Sequence, residues 1–136
     1  MIALALVRHP RLPAILASEG YDATRDEHFH RLLGGGVEFG ERGEDAVRRE
    51  LLEEIGVDIR VLRYAGLVEN IFTYDGRPGH EIVLVYEAEL GDRALYGRDR
   101  FEGIEEDPVN AIWHSLEGPG SEIPVYPPGA LNLRHG

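Results

Sequence analysis

Three glutamates, Glu50, Glu53 and Glu54, stand within little more than one helical turn of each other in a chain of 136 residues. From Glu44 to Ile55 there is no Gly or Pro, Glu44 and Asp45 lie at the N-terminal end, and Gly56 follows the last apolar residue. Those are the start and stop signals of a helix. At ~100° per residue, with Glu50 at zero, Glu53 falls near 300° and Glu54 near 40°, while Val47, Leu51, Ile55 and Leu52 spread from about 60° to 200°. One face is therefore apolar and the neighbouring face acidic. Clustered carboxylates repel, and a surface helix normally relieves this with a base at i+4. Here no base follows the cluster inside the helix, and only Arg48 and Arg49 lie beside it. A hard divalent cation with oxygen ligands, Mg2+ or Mn2+, would resolve the repulsion; a solvated acidic face is the bland alternative.

The segment before this helix favours the cation. His28 to Leu33 reads as a strand entering Gly34, Gly35 and Gly36, where bare backbone can turn sharply and offer a carbonyl or an amide to a ligand. A glycine turn alone is a weak signal, but one that leads into a carboxylate helix is much stronger.

Read together, residues 35–57 run GGVEFGERGEDAVRRELLEEIGV and place Gly35, Glu41, Arg49, Glu50, Glu53, Glu54 and Gly56 at the spacing G-x5-E-x7-R-E-U-x-E-E-x-G-U, with Leu51 and Val57 at the aliphatic positions. With seven fixed identities each at roughly 5–7% usage, a chance match at one start position is on the order of one in 10^8. The stretch resembles the Nudix box without a gap. The resemblance is strict over this stretch and loose elsewhere.

It implies a Nudix fold and an enzyme that hydrolyses a nucleoside diphosphate linked to another group, with Mg2+ or Mn2+ as cofactor. Carried over by residue, the Gly34 carbonyl with Glu50, Glu53 and Glu54 would hold metal, and Glu41 with Arg49 would tie the loop to the helix and orient the carboxylates. Glu53, Glu50, Arg49 and Glu41 form the implied catalytic set. The residue that takes the proton from water differs within the family: Glu53 is one candidate, and a glutamate of the loop bearing Glu102, Glu105 and Glu106 is another. Many members carry Pro immediately before the paired glycines where this chain has Leu33, a change that bears on loop stiffness rather than metal chemistry. The alternative is a Nudix-fold module that binds nucleotide without cleaving it, although the complete set of glutamates favours the enzyme.

Composition agrees. The length suits a single domain over 1–136, and 43% hydrophobic residues are ordinary for a globular protein. No run approaches the ~20 apolar residues of a membrane span, and Met1 to Val7 lacks the features of a signal peptide, so a cytoplasmic location is expected. There is no Cys, hence no disulfide, thiolate site or Cys nucleophile. A net charge of −11 argues against a nucleic-acid polymer as partner. It permits a phosphorylated nucleotide-type small molecule, because bound cations invert the field of an acidic site. All fourteen basic residues are Arg, a bias without mechanistic weight. Dimers are frequent in the family, and nothing in the sequence demonstrates one.

The elements that must carry the site read as mixed α/β. Ile2–Val7 and Leu12–Ala17 are apolar runs, 18–27 a polar loop, Val57–Val68 and Glu81–Leu90 long strands joined by a turn or loop over 69–80, and Asn110–Leu116 a further strand. Pro119, Pro124, Pro127 and Pro128 exclude a long helix before 129–133. This order suits the α/β/α sandwich with a mixed central sheet that the resemblance implies, although its usual C-terminal helix is poorly supported.

Substrate contacts are harder to read. Tyr74 lies seventeen residues beyond Val57, a spacing that resembles the diadenosine-polyphosphate group, while Thr73 stands where many ADP-ribose hydrolases carry Pro. Arg31, Arg8 and Arg77 could pair with phosphate, and Glu105 and Glu106 could face the substrate. His9, His28, His30, His80, His114 and His135 show no paired metal spacing on a helix, and Trp113 suits the core better than a base pocket.

Overall fold

The computed structural model describes residues 1–133; of the residues singled out above, His135 lies outside them. The apolar run of β1 (Ile2–Val7) is buried on both faces, as expected of a strand covered above and below. It pairs antiparallel with β4 (Leu33–Gly36) and parallel with β6 (Arg77–Leu90), which pairs antiparallel with β5 (Ile59–Tyr74), giving a mixed sheet in the order β4-β1-β6-β5. A second sheet, in the order β7-β8-β2-β3-β9, holds β2 (Ala14–Asp22), β3 (Glu27–Arg31), β7 (Arg100–Phe101), β8 (Ala111–Ser115) and β9 (Val125–Tyr126).

The one α-helix among the described residues, α1 (Gly43–Ile55), buries Ala46, Val47, Leu51 and Ile55. These pack on Ala3, Ala5 and Val7 of β1 and on Leu33, Ala88 and Leu90. The opposite face of the mixed sheet, bearing Leu4, Leu6, Val83 and Val85, is covered by a 3-10 turn, Ala130–Asn132, and Leu133. That turn stands in place of the second helix, which the surrounding prolines disfavour.

Two expected loops prove to be strand. The span 18–27 is not a polar loop: β2 continues to Asp22 and β3 begins at Glu27, so only a four-residue turn separates them. Polar residues recur there because alternate positions of a strand can face solvent. The span 69–80 is likewise a continuous hairpin, with Asp75 at φ 51° and Gly76 at φ 78°. Two positive φ values make the primed turn that matches strand twist, for which Asp-Gly is a preferred pair.

This hairpin outruns its sheet. β1 pairs with β6 only over Val83–Ala88, so residues 69–82 overhang as a two-stranded arm. Its tip is fastened to the β2–β3 turn. The Asp22 carboxylate, in a residue 4% exposed, accepts from the amides of Thr24, Arg25 and Asp75 at 3.0, 3.3 and 3.3 Å, and the Thr24 hydroxyl donates to Asp75 at 2.8 Å. Between the arm and the second sheet lies a cavity of about 950 Å³.

Candidate active site

The acidic face of α1 meets the glycine segment at the edge of this cavity. Gly34–Gly36, expected from sequence to turn sharply, instead continue strand β4 along β1, because without side chains their backbone can lie this close to β1 and to the helix carboxylates. β4 runs alongside β1, which puts the backbone of Gly34 and Gly35 directly over Glu50 and Glu54. The Gly34 amide donates to Glu54 Oε1 at 3.2 Å. A Cβ at Gly35 would come within 2.5 Å of the Glu50 carboxyl carbon, so the space a side chain would fill is already taken by a carboxylate. Gly35→Ala is expected to push Glu50 aside and lower the apparent Mg2+ affinity by roughly tenfold or more, while the melting temperature stays close to native. Mg2+ titration of activity beside thermal melts would check this, and an unchanged Mg2+ dependence would contradict it.

Arg49 sits at the centre of an ion network. Its Nε and Nη2 donate to the two Glu41 carboxylate oxygens at 2.9 and 3.0 Å, and Nη2 also reaches the Gly36 carbonyl at 2.9 Å. Nη1 donates to Glu50 at 3.1 Å and to Glu53 at 3.2 Å. The guanidinium thus links the loop to two carboxylates of the helix, a geometry its planar fork can satisfy and an ammonium cannot. The hydrogen bond from Arg49 holds the Glu41 carboxyl below its usual range.

The other two carboxylates are pushed the opposite way. Burial raises the Glu50 pKa. Glu54 is pushed up to about 8, chiefly by burial and then by the charge of Glu50. Glu105 adds to the repulsion on both, because the Ile104 amide donates to the Glu54 carbonyl at 3.0 Å and docks the loop on the end of α1. Glu53 is different. Its side chain is 49% exposed and turned to Arg49, and it does not line the cavity. Glu106 is exposed, and Glu102 is paired with Arg100.

The donor set fits a hard divalent cation. Glu50 and Glu54 are oxygen ligands partly stripped of solvent, and although Arg49 meets Glu50, the two carboxylates still repel each other, which a bound cation would relieve. No three acidic or imidazole side chains converge on one point among the described residues.

The cavity gathers some of the remaining candidates and leaves others out. Glu54, Gly34, Gly35, Arg31 and Tyr74 line it. Arg31 is held by Glu81 at 3.2 Å, and the Tyr74 ring meets Phe29 edge to face with centroids 5.8 Å apart. Arg8 and Arg77 are exposed and do not line it. His80 pairs across the hairpin with Glu69 at 2.8 Å. His9 is a buried core residue bonded to the Tyr96 carbonyl, and Trp113 stacks on Tyr96 and donates to the Arg98 carbonyl. His30 and His114 bond each other at 2.8 Å.

Phe29, Asn70 and Glu81 were not singled out by sequence reasoning, yet all three line the cavity. The Asp75-Gly76 pair was the signal that could have found the last two, since a tight turn there sets the register that pairs Asn70 with Glu81.

Comparison with known proteins supplies a family. The family model described as NUDIX domain matches residues 2–127. An oxidized purine nucleoside triphosphate hydrolase of Danio rerio is 31% identical over 120 residues, which cover 86% of this chain and 67% of that protein. A NAD-capped RNA hydrolase NudC of Haemophilus influenzae is 34% identical, over 89% of this chain and 41% of its own length. The chain thus spans less than half of that relative. Among solved structures, the E. coli ORF135 protein aligns with a TM-score of 0.57 at 21% identity, over 96% of this chain and 82% of that one. A UDP-X diphosphatase aligns with a TM-score of 0.60 at 16% identity, over 85% and 50%. No helix among the described residues is long and apolar enough to cross a membrane.

Proposed function

The chain belongs to the Nudix family and is a Nudix hydrolase, and from that premise we propose that it is a divalent-metal-dependent pyrophosphohydrolase, using Mg2+ or Mn2+, that cleaves the phosphoanhydride of a nucleoside diphosphate linked to another group. The observation that carries this reading is the pair of desolvated carboxylates, Glu50 and Glu54, set against Gly34 and Gly35 beside a cavity large enough for a nucleotide. The net charge of −11 favours a free nucleotide over a polymer.

Glu50 and Glu54, with Glu53 and the Gly34 carbonyl, would hold the cation, which when bound supplies charge neutralisation at the phosphoryl oxygens and a more acidic water. Arg49 and Glu41 fix the carboxylates in place. Glu105, next to Ile104 whose amide docks this loop on the Glu54 carbonyl at 3.0 Å, is the acceptor assigned to the proton of the attacking water, with Glu53 as the other candidate. Water oxygen bonds to phosphorus, the bridging P–O bond breaks, and the leaving phosphate carries off the electron pair. Arg31 and Tyr74 hold the substrate.

A turnover screen with Mg2+ or Mn2+ against nucleoside triphosphates, dinucleoside polyphosphates, ADP-ribose and nucleotide sugars tests this directly. Hydrolysis of at least one of them, absent in EDTA, is expected. Nucleotide binding with no cleavage of any would overturn it.

Protons and cations compete at Glu54, which gives a second test. Between the ordinary glutamate pKa and about 8, the folded protein keeps a proton on Glu54 that the unfolded chain has released. The metal-free protein therefore loses stability as pH rises through that window. A cation bound only by the folded state acts against this loss, so the increase in melting temperature given by Mg2+ is expected to be larger at about pH 8.5 than at about pH 6. Melting curves with Mg2+ and with EDTA across this range check it; an increment independent of pH would contradict the assignment.

A further inference from the structure

Asn70 is 8% exposed and lines the cavity, yet its carboxamide has no hydrogen-bond partner among the described residues. No fully enclosed side-chain polar atom there lacks a partner. The amide is accordingly unpaired among the described residues and reachable from the cavity. Such a group costs free energy unless something in the cavity meets its donors and acceptor.

Its surroundings say what that is. Alternate residues of a strand share a face, so Asn70, Phe72 and Tyr74 follow one another on one face of β5, and all three line the cavity. Directly across the hairpin stands Glu81, which pairs with Arg31 at 3.2 Å rather than with the amide. Phe72 lies over Gly79 and Phe29 over Gly20, each ring within 2.4 Å of where a Cβ would stand. Both rings are held in place by the absence of a side chain beneath them. Both rings line the same cavity as the Asn70 amide, and aromatic side chains beside a polar group suit a planar ligand. A carboxamide offers a donor and an acceptor side by side, the complement of adjacent acceptor and donor on a nucleobase edge.

We propose that Asn70 is a specificity-determining residue that reads the edge of the substrate's base; the inference rests on the nucleotide reading of the site given above. The test compares kcat/KM for ATP, GTP, UTP, CTP and base-free ribose 5-triphosphate in the native chain, Asn70→Ala and Asn70→Asp. The native chain is expected to prefer one base over ribose 5-triphosphate by roughly tenfold or more, and Asn70→Ala to lose most of that advantage. Asn70→Asp keeps the volume but presents only acceptors, so its preference should move toward guanine, which offers N1–H and the exocyclic amine as neighbouring donors. No base preference in the native chain, or the same preference in both variants, overturns the proposal. If nothing is hydrolysed, calorimetric binding of the same series separates the two readings. A base preference in binding that the variants lose sustains the role of Asn70 while the hydrolase reading falls, and binding without base preference sinks the role of Asn70.

Discussion

Glu54→Gln is expected to lower turnover by about 10^3-fold or more, while leaving the folded protein intact. A ligand carboxylate stabilises a cation whose contribution to the transition state is several kcal/mol, and Gln supplies an oxygen without the charge. The variant keeps the acceptor for the Gly34 amide, now 3.2 Å from Glu54 Oε1. It also removes a carboxyl that burial and Glu50 push up to about 8. The sign of the stability change follows. Near and below the ordinary glutamate pKa the side chain is neutral in both folded and unfolded native chains, so Gln and Glu should melt alike. As pH rises from there to about 8 the unfolded native chain releases a proton that the folded one keeps, so the metal-free variant should become progressively the more stable, with the difference levelling off above about pH 8. The increase in melting temperature given by Mg2+ should vanish. Steady-state kinetics and melting curves with and without Mg2+ are the checks. If Glu54→Gln folds and keeps its turnover within tenfold, Glu54 does not hold the cation.

Arg49→Ala carries the second large effect, and it differs in kind. Its removal strands the Glu41, Glu50 and Glu53 carboxylates and the Gly36 carbonyl at once, each now within 3.2 Å of the guanidinium. The end of β4 loses its tie to the helix, and Glu50 and Glu53 lose the group that aims them. A fall in kcat of about 10^2-fold is expected, with a weaker Mg2+ dependence. The melting temperature should fall by several degrees, roughly what one to two kcal/mol does in a domain of this size. Arg49→Lys should rescue little, because one ammonium cannot meet acceptors spread along a planar fork. A spectroscopic titration of Glu41 gives a readout apart from activity. Its pKa, held down by the Arg49 hydrogen bond, should rise toward the ordinary value in Arg49→Ala. Unchanged kcat together with an unmoved Glu41 pKa would remove Arg49 from the positioning role.

The readability of the chain was uneven, for a physical reason. Helix α1 was legible nearly to the residue because its information is local. A 3.6-residue period, acidic residues in the first turn and Gly56 after Ile55 each act within a few positions, and the observed helix is Gly43–Ile55. The same holds for β1, whose six apolar residues needed only to be covered. The spans 18–27 and 69–80 were misread because polar residues in an overhanging hairpin and in half-exposed strands look like loop when their partners are not known. Asp75-Gly76 marked the turn, but only pairing reveals how far the strands on either side of it extend.

The same division runs through the site. By itself the sequence determined the family, the α/β fold class and the helix with its acidic face, since all of these depend on residue type at short, fixed spacing; that the glycines before the helix form the end of a strand rather than a turn depends on their pairing with β1. The tertiary structure decided which carboxylates are stripped of solvent, because burial of Glu54 and the approach of Glu105 depend on a loop docking on the end of α1 about fifty residues on. It also decided the cavity. Asn70, Glu81, Arg31 and Phe29 come from three strands and both sheets, and they meet only because an arm longer than its sheet folds over β2 and β3 and is pinned there by Asp22.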